Sequence, residues 1–161
     1  MDDLILYQLL SFVKKYSNFE LKLYNYFYQK TDGIFPEFIL VINKYVLFFV
    51  KNENFFTSCR YLNSMRKELK KKKILIIRAE KILINLVFSL FPDLNIKNIK
   101  VEMDNNSGIR VLSIYFLFYE ERGLAIGHNG DYIKVINEIF KKYIVFENRN
   151  TPLEVKCKFK E

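Results

Sequence analysis

The chain has 161 residues, 50% of them hydrophobic, and a formal net charge of +8 at pH 7. This length and apolar content predict one folded domain, or one domain with an extension, and exclude a wholly disordered chain. Cys59 and Cys157 lie far apart without a histidine cluster, which excludes a zinc site and a disulfide scaffold. We expect both to be buried thiols. Charged residues interrupt the longest apolar runs, 34–50 and 74–91, so no membrane span is predicted.

Residues 1–66 are predicted to form an aromatic-rich, mainly helical extension. Apolar residues recur at helical spacing from Ile5 to Tyr16 and again from Phe19 to Phe27. The second run ends at Thr31-Asp32-Gly33, which is typical of a turn. The stretch 37–50 fits either a buried helix or a strand, and we favour a helix.

Positive charge is concentrated in one segment of the chain. Residues 67–100 carry a net charge of +6, and residues 1–66 carry a net charge of +2. Residues 101–161 have a net charge of zero. A lysine run can be a solvated linker, but this concentration favours a segment that contacts phosphate groups of a polyanion. The candidate contacts are Arg60, Arg66, Lys67, Lys70, Lys71, Lys72 and Lys73.

The second half of the chain has a regular pattern of predicted elements. An amphipathic helix is expected from Ile74 to Phe91, where Pro92 follows. Next come a strand over 99–103, a turn over 104–108, a strand over 109–118 and, after Thr151-Pro152, a strand over 153–159.

The most informative segment lies between those strands. Gly123, Gly127 and Gly130 fall within eight residues, in a chain with five glycines in all. Glycine at a fixed point permits positive φ or close approach of another group. A short helix over about residues 120–126 is expected before the turn, and another helix from Asp131 after it. The backbone N–H groups at the start of that second helix are predicted to face an anion.

The order helix, strand, strand, helix, Gly-X-X-Gly turn, helix, strand over about residues 74–160 resembles the type II KH domain. The resemblance implies an α+β fold with a three-stranded sheet backed by helices, and a KH domain over 67–161 with a basic lead-in. It also implies that the turn clamps the sugar-phosphate backbone of RNA. The RNA-binding residues would be Gly127, His128, Asn129 and Gly130, with Arg122 and Lys134 as the nearest cations.

One departure from the KH pattern concerns the middle of the turn. The two middle residues are often basic in KH domains, whereas here they are His128 and Asn129. We therefore expect weak binding of RNA by this unit alone. Because no nucleophile, base or paired carboxylates accompany the histidine, neither an enzyme nor a cofactor is expected.

Among type II families, residues 78–91, 99–103, 109–118 and 125–127 look most similar to the N-terminal half of the third small-subunit ribosomal protein. Phe, Tyr, Ile, Asn and Lys make up 80 of 161 residues, which indicates an A/T-rich genome such as that of a mitochondrion, or alternatively a plastid. The acidic start, Met1-Asp2-Asp3, is unlike a presequence. These observations predict a structural rRNA-binding protein of an organellar small subunit. Its partners would be rRNA and neighbouring ribosomal proteins. The C-terminal domain of the family would either have been lost or be supplied by a separate polypeptide.

The alternative is a NusA-like or stand-alone KH factor that acts in transcription. Two segments of this chain, Leu90-Phe91-Pro92 and Gly108-Ile109-Arg110, resemble segments of the NusA KH domains. NusA contains more than one KH segment, whereas this sequence is expected to have room for only one. Small stand-alone bacterial KH proteins lack so long an N-terminal extension.

Overall fold

The structure, a computed structural model, describes residues 2–148 and 154–159. In chain order the elements are α1 (Asp2–Leu6), β1 (Leu10–Phe12), α2 (Asn18–Lys30), β2 (Phe38–Ile42), β3 (Tyr45–Val50), α3 (Asn52–Cys59), α4 (Leu62–Glu68), β4 (Lys73–Arg78), α5 (Leu83–Leu90), β5 (Ile96–Met103), β6 (Arg110–Phe116), α6 (Tyr119–Ile126), α7 (Asp131–Glu138), β7 (Ile144–Phe146) and β8 (Glu154–Phe159). A 3-10 turn, His128–Gly130, precedes α7, and a π-helical turn, Ile139–Tyr143, follows it. The α+β class is confirmed.

The chain divides into two compact units. The first unit is Lys14–Glu80, and the second unit combines Met1–Val13 with Lys81–Glu161. The division predicted between residues 66 and 67 falls inside α4 and would separate β4 from β3, its partner in the first unit. Residues 1–66 contain strands β1, β2 and β3 in addition to helices α1, α2, α3 and most of α4.

The first unit contains a three-stranded sheet in the order β2-β3-β4. Strand β2 is antiparallel to β3, and β3 is parallel to β4. All six residues of β3 are buried, as expected for a central strand covered on both faces. Helices α2 and α4 contribute side chains to the core, where the rings of Phe27 and Phe48 lie 4.6 Å apart and Met65 is fully buried.

A capping box begins helix α2. The backbone N–H of Ser17 donates to the Glu20 carboxylate, and the Glu20 N–H donates to the Ser17 hydroxyl. Burial raises the pKa of Glu20, but hydrogen bonds from Lys14 and Ser17 outweigh it and hold that pKa below its usual value. The predicted helix over 19–27 is confirmed by α2.

Three helix predictions in the apolar segments were wrong. Residues 37–50 form the β2–β3 hairpin, because Asn43 adopts a φ of 53° and turns the chain between two buried strands. The helix predicted from Ile74 starts only at Leu83, since residues 74–77, three of which are β-branched isoleucines, extend along β3 as β4. The helix predicted from Ile5 ends at Leu6, and β1 follows it.

The second unit contains the sheet β5-β6-β8, with β5 antiparallel to β6 and β6 parallel to β8. The predicted strands over 99–103 and 109–118 and the helix over 120–126 are confirmed by β5, β6 and α6. The last predicted strand is seen from Glu154 to Phe159, while Thr151, Pro152 and Leu153 lie outside the described residues. Strands β1 and β7, which the sequence did not predict, pair antiparallel.

The two units repeat one arrangement of elements. Each contains, in chain order, helix, strand, strand, helix, helix, strand. The first unit has α2-β2-β3-α3-α4-β4, and the second has α5-β5-β6-α6-α7-β8, with the short strand β7 inserted before β8. In each, the first two strands are antiparallel and the last is parallel to the middle one. The order of elements predicted for the second half of the chain, apart from the glycine turn, therefore occurs twice. Within residues 2–148 and 154–159, no helix has the length and apolar character needed to cross a bilayer.

Candidate nucleic-acid interface

The glycine turn of the second unit is defined by three left-handed backbone positions. Gly127 has a φ of 83° and a ψ of 171°, a conformation that is almost exclusive to glycine. Asn129 and Gly130 follow with φ of 55° and 72°. The turn therefore interrupts the helical conformation between α6 and α7, as the glycine spacing predicted.

Close packing also requires glycine at position 127. A Cβ atom on Gly127 would lie 2.9 Å from the backbone nitrogen of Tyr132. Tyr132 is itself held in place, because its hydroxyl donates to the Leu90 carbonyl and its ring packs edge-on against Phe91 at 5.8 Å. The turn is thus seated directly on the first residues of α7.

The tip of the turn is open to solvent. His128 and Asn129 are exposed, and Gly127 and Gly130 are partly so. Within the described part of the chain, the backbone N–H groups of His128 and Asn129 have no hydrogen-bond acceptor. Lys134 lies beside them, and its ammonium donates to the Asn129 carbonyl at 3.3 Å. Two free amides and one cation at a bend before a helix can hold a phosphate group.

Arg122 belongs to helix α6, and its side chain contacts the edge strand β8 rather than the turn. Its Nε donates to the Cys157 carbonyl in β8 at 3.3 Å. Asn137, which the sequence did not single out, binds the same strand: its Oδ1 accepts from the Val155 N–H at 2.6 Å and its Nδ2 donates to the Val155 carbonyl at 3.1 Å. These side chains fix α6 and α7 to β8 and so position the turn.

Of the two cysteines predicted to be buried, Cys157 is buried and Cys59 is only partly buried. Burial raises the pKa of the Cys157 thiol to about 12, so it is unreactive at neutral pH. In the described ranges, no group of three or more His, Cys, Asp or Glu side chains could hold a metal ion.

Exposed apolar side chains lie at the start of helix α6 and near its end. Leu124, Phe118 and Tyr119 are each more than half exposed, and the Tyr119 ring packs edge-on against Phe159 at 5.6 Å. Exposed rings and aliphatic side chains can stack with or contact bases. These exposed side chains were not predictable from the sequence, because phenylalanine and tyrosine are abundant throughout the chain.

The first unit lacks a glycine turn at the equivalent place. Arg60 and Tyr61 join α3 to α4 with φ of −60° and −95°, both in the right-handed region. Arg66 is used structurally, since its Nε and Nη2 donate to the Ile74 carbonyl at 3.2 and 3.0 Å. The other predicted phosphate contacts are exposed, apart from the partly buried Lys72: Arg60, Lys67, Lys70, Lys71 and Lys73.

Apart from Arg122, the predicted site residues therefore fall into two sets. Gly127, His128, Asn129, Gly130 and Lys134 are brought together at one turn of the second unit. The seven basic residues between Arg60 and Lys73 belong to the first unit.

Neither a family model nor a curated protein matches this chain. A solved structure titled "Crystal structure of APE1850" is similar with a TM-score of 0.60 and 21% identity, covering 88% of this chain and 100% of that one. Because the uncovered 12% is smaller than either unit, the similarity includes parts of both. At this identity the comparison shows the fold alone.

Proposed function

We propose that this protein binds single-stranded RNA without catalysis, and that its two units are type II KH domains. The observation that carries the proposal is the exposed turn Gly127–Gly130, with left-handed backbone at three positions and unbonded amides ahead of α7. In KH domains a Gly-X-X-Gly turn clamps about four nucleotides of the RNA backbone. The apolar surface around Leu124 and Tyr119 offers contacts for the bases.

For the cellular role we propose transcription, as a NusA-like factor bound to RNA polymerase. The repeated order of elements favours this role, because NusA contains more than one KH segment. The competing hypothesis is a structural rRNA-binding protein of a mitochondrial or plastid small subunit. That hypothesis is supported by the A/T-biased composition and by the likeness to the ribosomal family of four segments: residues 78–91, 99–103, 109–118 and 125–127. It requires one KH unit preceded by an extension, whereas residues 14–80 form a compact unit of their own.

RNA binding through the turn is tested with a charge-reversed loop. The double variant His128→Asp, Asn129→Asp places two carboxylates where phosphates would lie, while aspartate tolerates the left-handed position 129. The control, Asn105→Asp with Asn106→Asp, adds the same charge in the exposed turn after β5. Fluorescence anisotropy with a single-stranded RNA of about 12 nucleotides measures both.

We expect the loop variant to lose at least about tenfold in affinity, because like charges placed together cost several kcal/mol. The control should lose less than about threefold, because its charges lie outside the site. Equal affinity of the loop variant, the control and the wild-type chain would contradict the proposal.

The cellular role is tested by sedimentation of a native extract. Co-migration with RNA polymerase and absence from small-subunit fractions is the expected result. Co-migration with small subunits at high salt would instead support the ribosomal hypothesis.

A further inference from the structure

All of the net charge of the chain belongs to one unit. The first unit has fourteen basic and six acidic residues, for +8, and the second unit has twelve of each. The charge is therefore confined to the unit that lacks the glycine turn. Electrostatic attraction of a polyanion and backbone recognition at a turn are thus separated between the two units.

The fold collects five lysines at one end of the first sheet. The two-residue turn Asn43-Lys44 joins β2 to β3, and β4 starts beside it, with the Lys73 N–H donating to the Lys44 carbonyl at 2.7 Å. The Lys72 ammonium lies 3.5 Å from the Asn43 carbonyl. We call this set the lysine patch: Lys44, Lys70, Lys71, Lys72 and Lys73.

These lysines lack carboxylate partners. Among the residues that the structure describes, none of the five takes part in an ion pair. The nearby Glu68 is paired with Lys30 instead. Unpaired like charges held close together repel one another, and a bound polyanion relieves that repulsion.

Aromatic rings lie within the lysine patch. The Lys72 ammonium is 5.6 Å from the centre of the Phe19 ring, and the Lys73 ammonium is 5.3 Å from the Tyr45 ring. Phe19 is 46% exposed. A basic surface with an accessible ring suits single-stranded nucleic acid, which presents phosphates and unpaired bases together.

We propose that the lysine patch is a second RNA site that binds phosphates without regard to sequence. It supplies most of the salt-dependent affinity of the chain for RNA, and the Gly127–Gly130 turn binds the RNA backbone in the other unit. This inference rests on the proposed function.

The test compares two triple variants of the full chain. The patch variant is Lys44→Gln, Lys71→Gln, Lys73→Gln. The control is Lys81→Gln, Lys97→Gln, Lys141→Gln, which removes the same charge from exposed positions of the second unit. Affinity for the single-stranded RNA is measured between about 50 and 300 mM salt, where each phosphate contact contributes about 0.7 to the log–log slope.

We expect the slope of log affinity against log salt concentration to decrease in magnitude by about 2 in the patch variant. In the control the decrease should be less than about 0.7. The matching Lys→Arg triple variant should keep the slope of the wild-type chain, because it keeps the charges. If the patch and control variants lose the same slope, the inference is overturned although RNA binding stands. If the wild-type chain binds no RNA, the proposed function itself fails. Binding to phosphatidylserine vesicles that is tighter than to RNA and depends on the patch would also overturn the inference.

Discussion

At the scale of single residues, two of the five glycines make a controlled comparison. Gly127 has a φ of 83° and would place a Cβ 2.9 Å from the Tyr132 nitrogen. Gly123 lies in α6 and has no atom within 4 Å of the position that a Cβ would take. Both belong to the segment that the sequence singled out, but only Gly127 is required by backbone conformation and by packing.

Gly127→Ala is expected to lower the free energy of unfolding by about 1–3 kcal/mol, because alanine is strained at this φ and collides with α7. Gly123→Ala is expected to raise it by about 0.5–1 kcal/mol, because alanine favours the helix. Urea unfolding followed by circular dichroism measures both values. Equal effects of the two substitutions would show that position 127 does not have the left-handed conformation described.

At the scale of elements, both units fasten their last strand with a side chain from the preceding helix. In the first unit Arg66 of α4 binds the Ile74 carbonyl, the second residue of β4. In the second unit Asn137 of α7 binds Val155, the second residue of β8. The sequence predicted Arg66 as a phosphate contact because it borders a lysine run, whereas its guanidinium is directed to the backbone of its own unit.

Arg66→Gln is expected to reduce the free energy of unfolding of the first unit by about 1 kcal/mol, since the Ile74 carbonyl loses its donor. Lys67→Gln, at the next and equally exposed position, should change it by less than about 0.5 kcal/mol. Urea midpoints of the two variants and the wild-type chain measure the difference. An Arg66 variant as stable as the Lys67 variant would show that the hydrogen bond contributes nothing.

Elements were predictable from sequence where the local pattern was unambiguous. The alternation in β5 predicts only a strand, and the residues after β5 and after α6 predict only turns. All three predictions of local structure are confirmed. Residues 74–77 and 37–50 were misread because apolar side chains cover both faces of a buried strand, which removes the alternation that separates strand from helix. Strand β1 was missed because its partner β7 lies more than 130 residues away.

At the scale of the whole molecule, the repeat was hidden from sequence reading. The first unit shares the order and strand pairing of the second, but its α3–α4 connection is Arg60-Tyr61 instead of a glycine turn. The glycine signal therefore marked one unit only, and the other was taken for an extension. The concentration of positive charge near residues 67–73 is visible in the sequence. Only the structure shows that Lys44 lies beside the lysine run.

The most direct test of the central claim is amide hydrogen exchange of the full chain with and without the single-stranded RNA. We predict slower exchange in the presence of RNA across residues 127–134, because the unbonded amides of His128 and Asn129 would donate to phosphate oxygens. RNA that binds while exchange at 127–134 stays unchanged would contradict the account, because the glycine turn would then take no part in binding.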